Sequence, residues 1–253
     1  MINILLSGAL GKMGKMITSC AEESEEFNII AGIDKIEEKT GAFPIYSSTD
    51  NLNVKADVII DFSHPSALEG ILNYAKRTNT PAVIATTGLS NSDIEKIKEA
   101  SKIIPIFFSA NMSVGINLLI SLVTKAASVL ENNYDIEIIE KHHNQKIDAP
   151  SGTALMIADA ISNALSYNPH YVYDRHSKRA KREKKEIGLH SVRAGTITGE
   201  HEVIFAGSDE IIEIKHTATS RNVFANGALS AAKFLLNKPN GLYNMSDLVN
   251  EEN

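Results

Sequence analysis

Ile2-Asn3-Ile4-Leu5-Leu6-Ser7-Gly8-Ala9-Leu10-Gly11-Lys12-Met13-Gly14 opens the chain with an apolar run, three evenly spaced glycines and the start of a helical pattern. The run Ile2 to Ser7 is apolar nearly throughout, as a strand buried on both faces requires. The glycines let the backbone turn sharply and approach a bound pyrophosphate closely. A helix from about Lys12 to Glu22 follows, and its free N–H groups would face whatever the turn admits. The spacing G-x-x-G-x-x-G is one residue longer in its first gap than the commonest dinucleotide-binding fingerprint. Its weight comes from its place between strand and helix, because isolated glycines serve many kinds of turn.

Outward from this point the pattern repeats. Phe27 to Asp34, Ala56 to Asp61, Pro81 to Ala85 and Ile103 to Phe108 read as strands, with helical stretches from Pro65 to Arg77 and from Ser92 to Ser101 between them. Such alternation implies right-handed crossovers and a parallel sheet covered on both faces, an α/β architecture. Ligands of open α/β sheets bind beyond the C-terminal ends of the strands. Asp34 ends the second strand, where a carboxylate can accept from ribose hydroxyls; Lys35, next to it, could instead pair with the extra phosphate of NADP. Thr86-Thr87-Gly88 and Ser109-Ala110-Asn111-Met112 each follow a predicted strand. They suit either close approach of a nicotinamide or ordinary turn chemistry.

After Asn111 the rhythm changes. A long apolar helix over 114–130 leads into the alternating strand Asp135 to Glu140, then a helix from Thr153 to Leu165. Strands at His190 to Arg193, Glu202 to Phe205 and Ile211 to His216 suggest a sheet with one wet face. A final helix runs from Val223 to Leu236. The basic stretch Arg175 to Lys185 lacks interleaved aromatics and is expected to be a solvated, mobile loop rather than a nucleic-acid patch.

Composition sets limits. With 253 residues the chain can form one large domain or two modest ones, and its net charge of -6 argues against nucleic-acid binding as the main role. The single cysteine, Cys20, allows no internal disulfide and reads as core filler in a reducing compartment. The N-terminal apolar run is too short for a signal peptide, and the 114–130 helix carries too many polar residues for a bilayer span. A soluble, cytoplasmic protein that binds neither membrane nor nucleic acid is therefore expected.

The chemistry concentrates in His142-His143-Asn144-Gln145-Lys146-Ile147-Asp148-Ala149-Pro150-Ser151-Gly152-Thr153-Ala154. Imidazole titrates near neutrality and can give a proton at working pH, and a nearby ammonium adds fixed positive charge. Ser151-Gly152-Thr153 opens a helix whose first N–H groups attract carboxylates or phosphates. The segment reads as a site that holds a small anion and protonates it. A metal site is disfavoured, because adjacent histidines diverge and neither H-E-x-x-H nor a cysteine cluster is present in the sequence. Two purely structural histidines are the plain alternative.

Glu140 to Ala154, together with the glycine loop, Asp57-Val58-Ile59-Ile60-Asp61-Phe62-Ser63, Thr86-Thr87-Gly88, Asn111 to Gly115, Val192-Arg193-Ala194-Gly195, Gly199-Glu200-His201 and Phe224 to Ala228, resembles the 4-hydroxy-tetrahydrodipicolinate (dihydrodipicolinate) reductase family of the lysine and diaminopimelate pathway. The resemblance implies a Rossmann-like cofactor domain, 1–112 completed by 221–253, plus a mixed-sheet substrate and oligomerisation domain, 113–220, in a homotetramer. It implies NADH or NADPH as cofactor and a cyclic dicarboxylate as substrate. By motif, His142 would be the proton donor and Lys146 its catalytic partner, while His143, Gly152 and Thr153 would hold the substrate carboxylates. Gly8, Ala9, Leu10, Gly11, Lys12, Met13, Asp34, Lys35, Ala85, Thr86, Thr87, Ser109, Ala110, Asn111 and Met112 would line the cofactor site. Ala85 stands where the family often has glycine, and Asp34-Lys35 where it often has glutamate-arginine. The rivals are another reductase of the same architecture, such as an amino-acid or aldehyde dehydrogenase, and a non-enzymatic NAD(H)-binding redox sensor.

Overall fold

The computed structural model of the chain describes residues 1–37, 41–50 and 52–251. It divides into two compact units, Met1–Val114 with Asn222–Asn253, and Gly115–Arg221.

In the first unit β1 (Ile2–Ser7) leads through the glycine turn into α1 (Lys12–Glu22) and then β2 (Phe27–Ile33) and β3 (Ile45–Tyr46). Next come β4 (Val58–Asp61), α2 (Leu68–Thr78), β5 (Ala82–Ile84), α3 (Asn91–Ser101) and β6 (Pro105–Phe108). Pro65 lies near the start of this helical stretch, in a short 3-10 turn, Pro65–Ala67, that leads directly into α2. The sheet is parallel throughout, in the order β12-β6-β5-β4-β1-β2-β3, a Rossmann-like arrangement whose outer strand β12 (Gly241–Tyr243) comes from the C-terminal segment.

Alternation along each strand splits the core between the two faces. Ile4, Leu6, Val58, Ile60, Val83 and Phe107 pack with the α1 side and with the alanine-rich α6 (Asn222–Leu235). Leu5, Ile59, Ala82, Ile84 and Ile106 pack under α2 and α3. Cys20 is buried and free, as core filler should be.

Two glycines make the first turn possible. Gly8 has φ +80°, and a Cβ there would lie 2.5 Å from the Phe62 carbonyl oxygen. Gly14 lies against the same turn, where a Cβ would come 2.2 Å from the Gly8 oxygen. The first glycine therefore serves the turn, as expected, whereas the third serves close packing of the helix start against that turn.

The second unit carries α4 (Val114–Leu130), β7 (Asp135–His142), α5 (Gly152–Ala164), β8 (His170–Val172), β9 (Glu186–Arg193), β10 (Gly199–Ala206) and β11 (Ile211–Ala218). The sheet order is β11-β10-β7-β9-β8, parallel between β7, β9 and β8 and antiparallel around β10. Leu119, Val123 and Ala127 of α4 and Ile157, Ala158 and Ile161 of α5 cover one face, meeting Ile136, Ile138, Leu189, Val203 and Phe205. The other face bears charged and partly exposed side chains.

The basic stretch departs from expectation. Residues 176–181 are exposed, but Arg182 donates to Asp135 (2.8 Å), Glu137 (3.0 Å) and the carbonyl oxygens of Ile136 (3.1 Å) and Glu186 (2.7 Å). Arg175 pairs with Glu186 at 2.6 Å. Acids of β7 and β9 thus fasten both ends of a segment that reads, by composition, as a free loop.

The last helix of the fold, α7 (Met245–Glu251), closes over the first unit's core through Met245 and Leu248. No helix among the described residues is long and apolar enough to cross a membrane.

Candidate active site

In the first unit the glycine turn is stitched to the strand ends. Gly8 and Ala9 donate their N–H groups to the Ile33 carbonyl at 2.8 and 3.3 Å. Asp34 Oδ2 accepts from the Leu10 N–H at 2.8 Å, and Oδ1 from the Lys35 N–H at 2.7 Å. Gly11 caps α1 without a side-chain bond, so the first-turn N–H groups of the helix have no side-chain partner. A cleft of about 420 Å³ opens here, lined by Gly8, Gly11, Asp34, Lys35, Ser63 and His64 among others. Lys35 is exposed at its rim and Lys12 is exposed at the start of α1, while Ala9 is buried and Leu10 and Met13 pack against the core. The side chains of Ala9, Leu10 and Met13 are thus engaged by the core. The tight glycine turn, the helix start without a side-chain cap and the strand-end acid beside the cleft fit the donor and acceptor set that a dinucleotide needs.

Behind the cleft lies a carboxylate that sequence reasoning read only as the end of a strand. Asp61 is fully buried; its Oδ1 accepts from the Ser63 hydroxyl at 2.5 Å and its Oδ2 from the Thr86 hydroxyl at 2.7 Å. Thr86 Oγ1 in turn accepts from the Ser63 N–H at 3.0 Å. Burial pushes the Asp61 carboxyl above its usual range, against the lowering effect of the hydroxyls of Ser63, Thr86 and Ser7. Thr86, expected to touch cofactor, commits its hydroxyl to this network; Thr87 beside it is exposed. Ser109 donates its hydroxyl to the Asn111 carbonyl at 2.8 Å, and Asn111 Oδ1 accepts from the Ser113 N–H at 2.9 Å, which shapes the turn after β6. Ala110 is exposed, whereas the Ala85 and Met112 side chains are buried in the core. The signal for Asp61 was present: an acid closing an otherwise apolar strand must find partners.

In the second unit the histidine segment begins at the end of β7. Alternation turns Ile136, Ile138, Glu140 and His142 to the covered face. His142 Nδ1 lies 2.6 Å from Glu140 Oε2. Arg193, opposite His142 in the β7–β9 register, holds both Glu140 oxygens, with Nη1 2.8 Å from Oε2 and Nη2 2.7 Å from Oε1. The Ser151 N–H donates to Oε1 at 3.1 Å. Burial works to raise the Glu140 carboxyl, but the hydrogen bonds from Arg193, His142 and Ser191 and the Arg193 charge hold it at about 2. Burial also lowers the His142 pKa; Glu140 opposes this, and the Lys146 and Arg193 charges add to it.

His201 stands edge-on to His142, ring centroids 5.2 Å apart, and burial with the His142 charge takes its pKa down to about 4. Its Nε2 lies 3.1 Å from Ser151 Oγ, the same oxygen that caps α5 by accepting from the Ala154 N–H at 3.1 Å. Lys146 Nζ lies 2.8 Å from Asp148 Oδ1. His143 and Thr153 are half-buried, and Gly152 is exposed with nothing within 4 Å of where its Cβ would be. The β7 end and the α5 start are thus tied together through Glu140, Ser151 and His201; the sequence points to Ser151 as the opening of the helix but assigns Glu140 and His201 no role. Among the described residues no group of three or more His, Cys, Asp or Glu is arranged to hold a metal ion.

Both halves of the chain match known protein families. Residues 2–112 fit the model of the N-terminal part of dihydrodipicolinate reductase, and residues 115–249 that of its C-terminal part. The chain is 50% identical over 253 residues to the 4-hydroxy-tetrahydrodipicolinate reductase of Clostridium novyi, covering all of both chains. It is 55% identical to that of Caldanaerobacter subterraneus, covering 98% of each. In fold it is similar to the dipicolinate-bound dihydrodipicolinate reductase of Paenisporosarcina sp. TG-14, with TM-score 0.82, 23% identity and 96% and 97% of the two chains covered. An aspartate dehydrogenase from Thermotoga maritima shares the architecture more loosely, at TM-score 0.51 and 15% identity over 94% of this chain and 98% of that one. With two half-chain family matches that meet near residue 114 and full-length identity at 50% and above, the chain belongs to the dihydrodipicolinate reductase family.

Proposed function

We propose that this chain reduces 4-hydroxy-tetrahydrodipicolinate to tetrahydrodipicolinate with NADH or NADPH, a step of lysine and diaminopimelate biosynthesis. The observation that carries this reading is the identity of 50–55% along the whole chain to reductases of that name. The chemistry of the two sites supports it independently.

Bound nicotinamide supplies a hydride to the substrate ring. The protein's task is to hold both molecules and to neutralise the charge that develops. The glycine turn and the start of α1 hold pyrophosphate, and Asp34 accepts from the ribose. Lys35 supplies a positive charge for a 2′-phosphate, so both cofactors are usable. Ser109 to Met112 and the Ala85-Thr86-Thr87 turn border the nicotinamide end through backbone and through Thr87, with Thr86 setting the turn's shape.

On the substrate side the α5 start, through the Gly152 and Thr153 N–H groups and the Thr153 hydroxyl, receives a carboxylate, with His143 beside it. His142 gives its proton as negative charge grows on the ring, and the Lys146 ammonium stabilises that charge. The charged outer face of the five-stranded sheet, with exposed Val192 and Ile211, supports assembly of copies into a homotetramer. The buried free thiol of Cys20 suits a cytoplasmic location.

The test is a coupled assay with the upstream synthase, following NAD(P)H absorbance and identifying the product. His142→Gln is expected to lower kcat by about 10²–10⁴, the usual worth of general acid catalysis, with little change in KM. Unchanged steady-state constants in that variant would remove His142 from the reaction. Absence of tetrahydrodipicolinate among the products would refute the substrate.

A further inference from the structure

We propose that Glu140, clamped by Arg193, is a positioning residue for His142: it fixes the imidazole proton on Nδ1 and leaves Nε2 as the atom that gives its proton to substrate. The proposal rests on the reading of His142 as proton donor.

The geometry admits one arrangement. Glu140 receives both guanidinium nitrogens of Arg193, at 2.8 and 2.7 Å, and the Ser151 N–H at 3.1 Å. All of these groups only donate, so the carboxylate must be ionised and has no proton of its own. Glu140 Oε2, 2.6 Å from His142 Nδ1, can then only accept, and Nδ1 must carry the hydrogen. The other nitrogen, Nε2, is the one Glu140 does not engage; it lies beside Gly199, where a Cβ would stand only 3.2 Å from it and a side chain would crowd it. Arg193 also donates to the Asp148 carbonyl at 2.6 Å, so the guanidinium that holds Glu140 holds the Lys146 loop as well.

Imidazolium holds one proton on each nitrogen; the Nε2 proton goes to the substrate and the Nδ1 proton stays. The product is neutral imidazole in the tautomer that Glu140 already favours, and no proton passes to Glu140. The groups facing His142 are Glu140 on its own strand, Arg193 on β9, His201 on β10 with His216 beyond it on β11, and Lys146 with Asp148 in the loop. Of these, Glu140 favours imidazolium directly, while Lys146 and Arg193 oppose it. His201 is held neutral near pH 7 by its burial. Removing the Glu140 charge therefore takes away the main support of the charged donor.

The experiment is histidine ¹⁵N NMR on the whole chain, run beside kcat–pH profiles. In the wild type, neutral His142 is expected as the Nδ1–H tautomer; an Nε2–H tautomer overturns the proposal without any variant. In Glu140→Gln the His142 titration and the falling limb of kcat are both expected to move down by about one pH unit, with kcat at pH 7 about tenfold lower. Glu140→Asp is expected to recover part of that shift. A Glu140→Gln enzyme with lower kcat at every pH but an unmoved imidazole titration would mean a structural role only, and would overturn the proposal. His142→Gln separates the two readings. If that variant keeps its kcat, the donor assignment fails, while the tautomer measurement still reports on Glu140.

Discussion

The backbone N–H of Leu10 donates to Asp34 Oδ2 at 2.8 Å, so the acid at the end of the second strand is pinned to the glycine turn that follows the first. One carboxylate thus shapes the turn and borders the cleft. Asp34→Asn keeps an oxygen for Leu10 but removes the charge beside Lys35. Its KM for NADH is expected to rise about tenfold, while that for NADPH rises less, because the lost charge no longer repels a 2′-phosphate. Equal changes for both cofactors, read from the ratio of the two KM values, would exclude Asp34 from cofactor choice.

Gly8→Ala adds a methyl where the Phe62 carbonyl oxygen stands, at a φ of +80° that side chains rarely adopt. The backbone strain alone costs about 1–3 kcal/mol. A fall of several degrees in Tm is expected, and added NADH is expected to raise the Tm of the wild type but not of the variant. Thermal unfolding with and without NADH reads both effects at once.

Two buried carboxyls give stability opposite pH dependences. Glu140 is depressed from 4.5 to about 2, so its contribution is present above 4.5 and is lost as pH falls toward 2. Asp61 is raised above 3.8 by burial; its contribution is full below 3.8 and is lost as pH rises through the raised value. In urea unfolding at a series of pH values, Glu140→Gln is expected to flatten the acid limb and to converge with the wild type near pH 2. Asp61→Asn is expected to gain on the wild type as pH rises. Parallel curves would contradict the hydrogen-bond clamp on Glu140 in the one case and the burial of the Asp61 carboxyl in the other.

Gly152→Ala probes the start of α5. No atom lies within 4 Å of the new methyl, and alanine is the better helix former, so Tm is expected to stay level or rise slightly. The substrate KM is expected to rise about tenfold if this helix start receives a carboxylate, since a methyl group then blocks the approach. An unchanged KM would move the carboxylate elsewhere.

Much of the fold was legible because its elements are long or punctuated. α1 and α4 follow the glycine turn and the 114–130 periodicity residue for residue. β3 and β12, at two and three residues, are too short for any alternation to show, and they add the two outer strands of the sheet. β8 and α7 escaped for the same reason. In the site, His142 and Lys146 stand out by residue type, but Glu140 reads as one more position in an alternating strand. Its partner Arg193 lies 53 residues away, and only the β7–β9 register brings them together. Arg182 failed in the reverse direction. It looks solvated in a run of cations, until folding presents Asp135 and Glu137 to it from another strand.

The C-terminal origin of β12 and α6 bears on how this chain leaves the ribosome. Until residues 222–243 emerge, the newly made first unit has a bare β6 edge and lacks the alanine-rich cover over Leu6, Ile60 and Phe107. The second unit is complete once Arg221 has been synthesised. A polypeptide stalled there would carry one sheet with an unpaired edge and a half-clad face, the kind of surface that invites association with other chains.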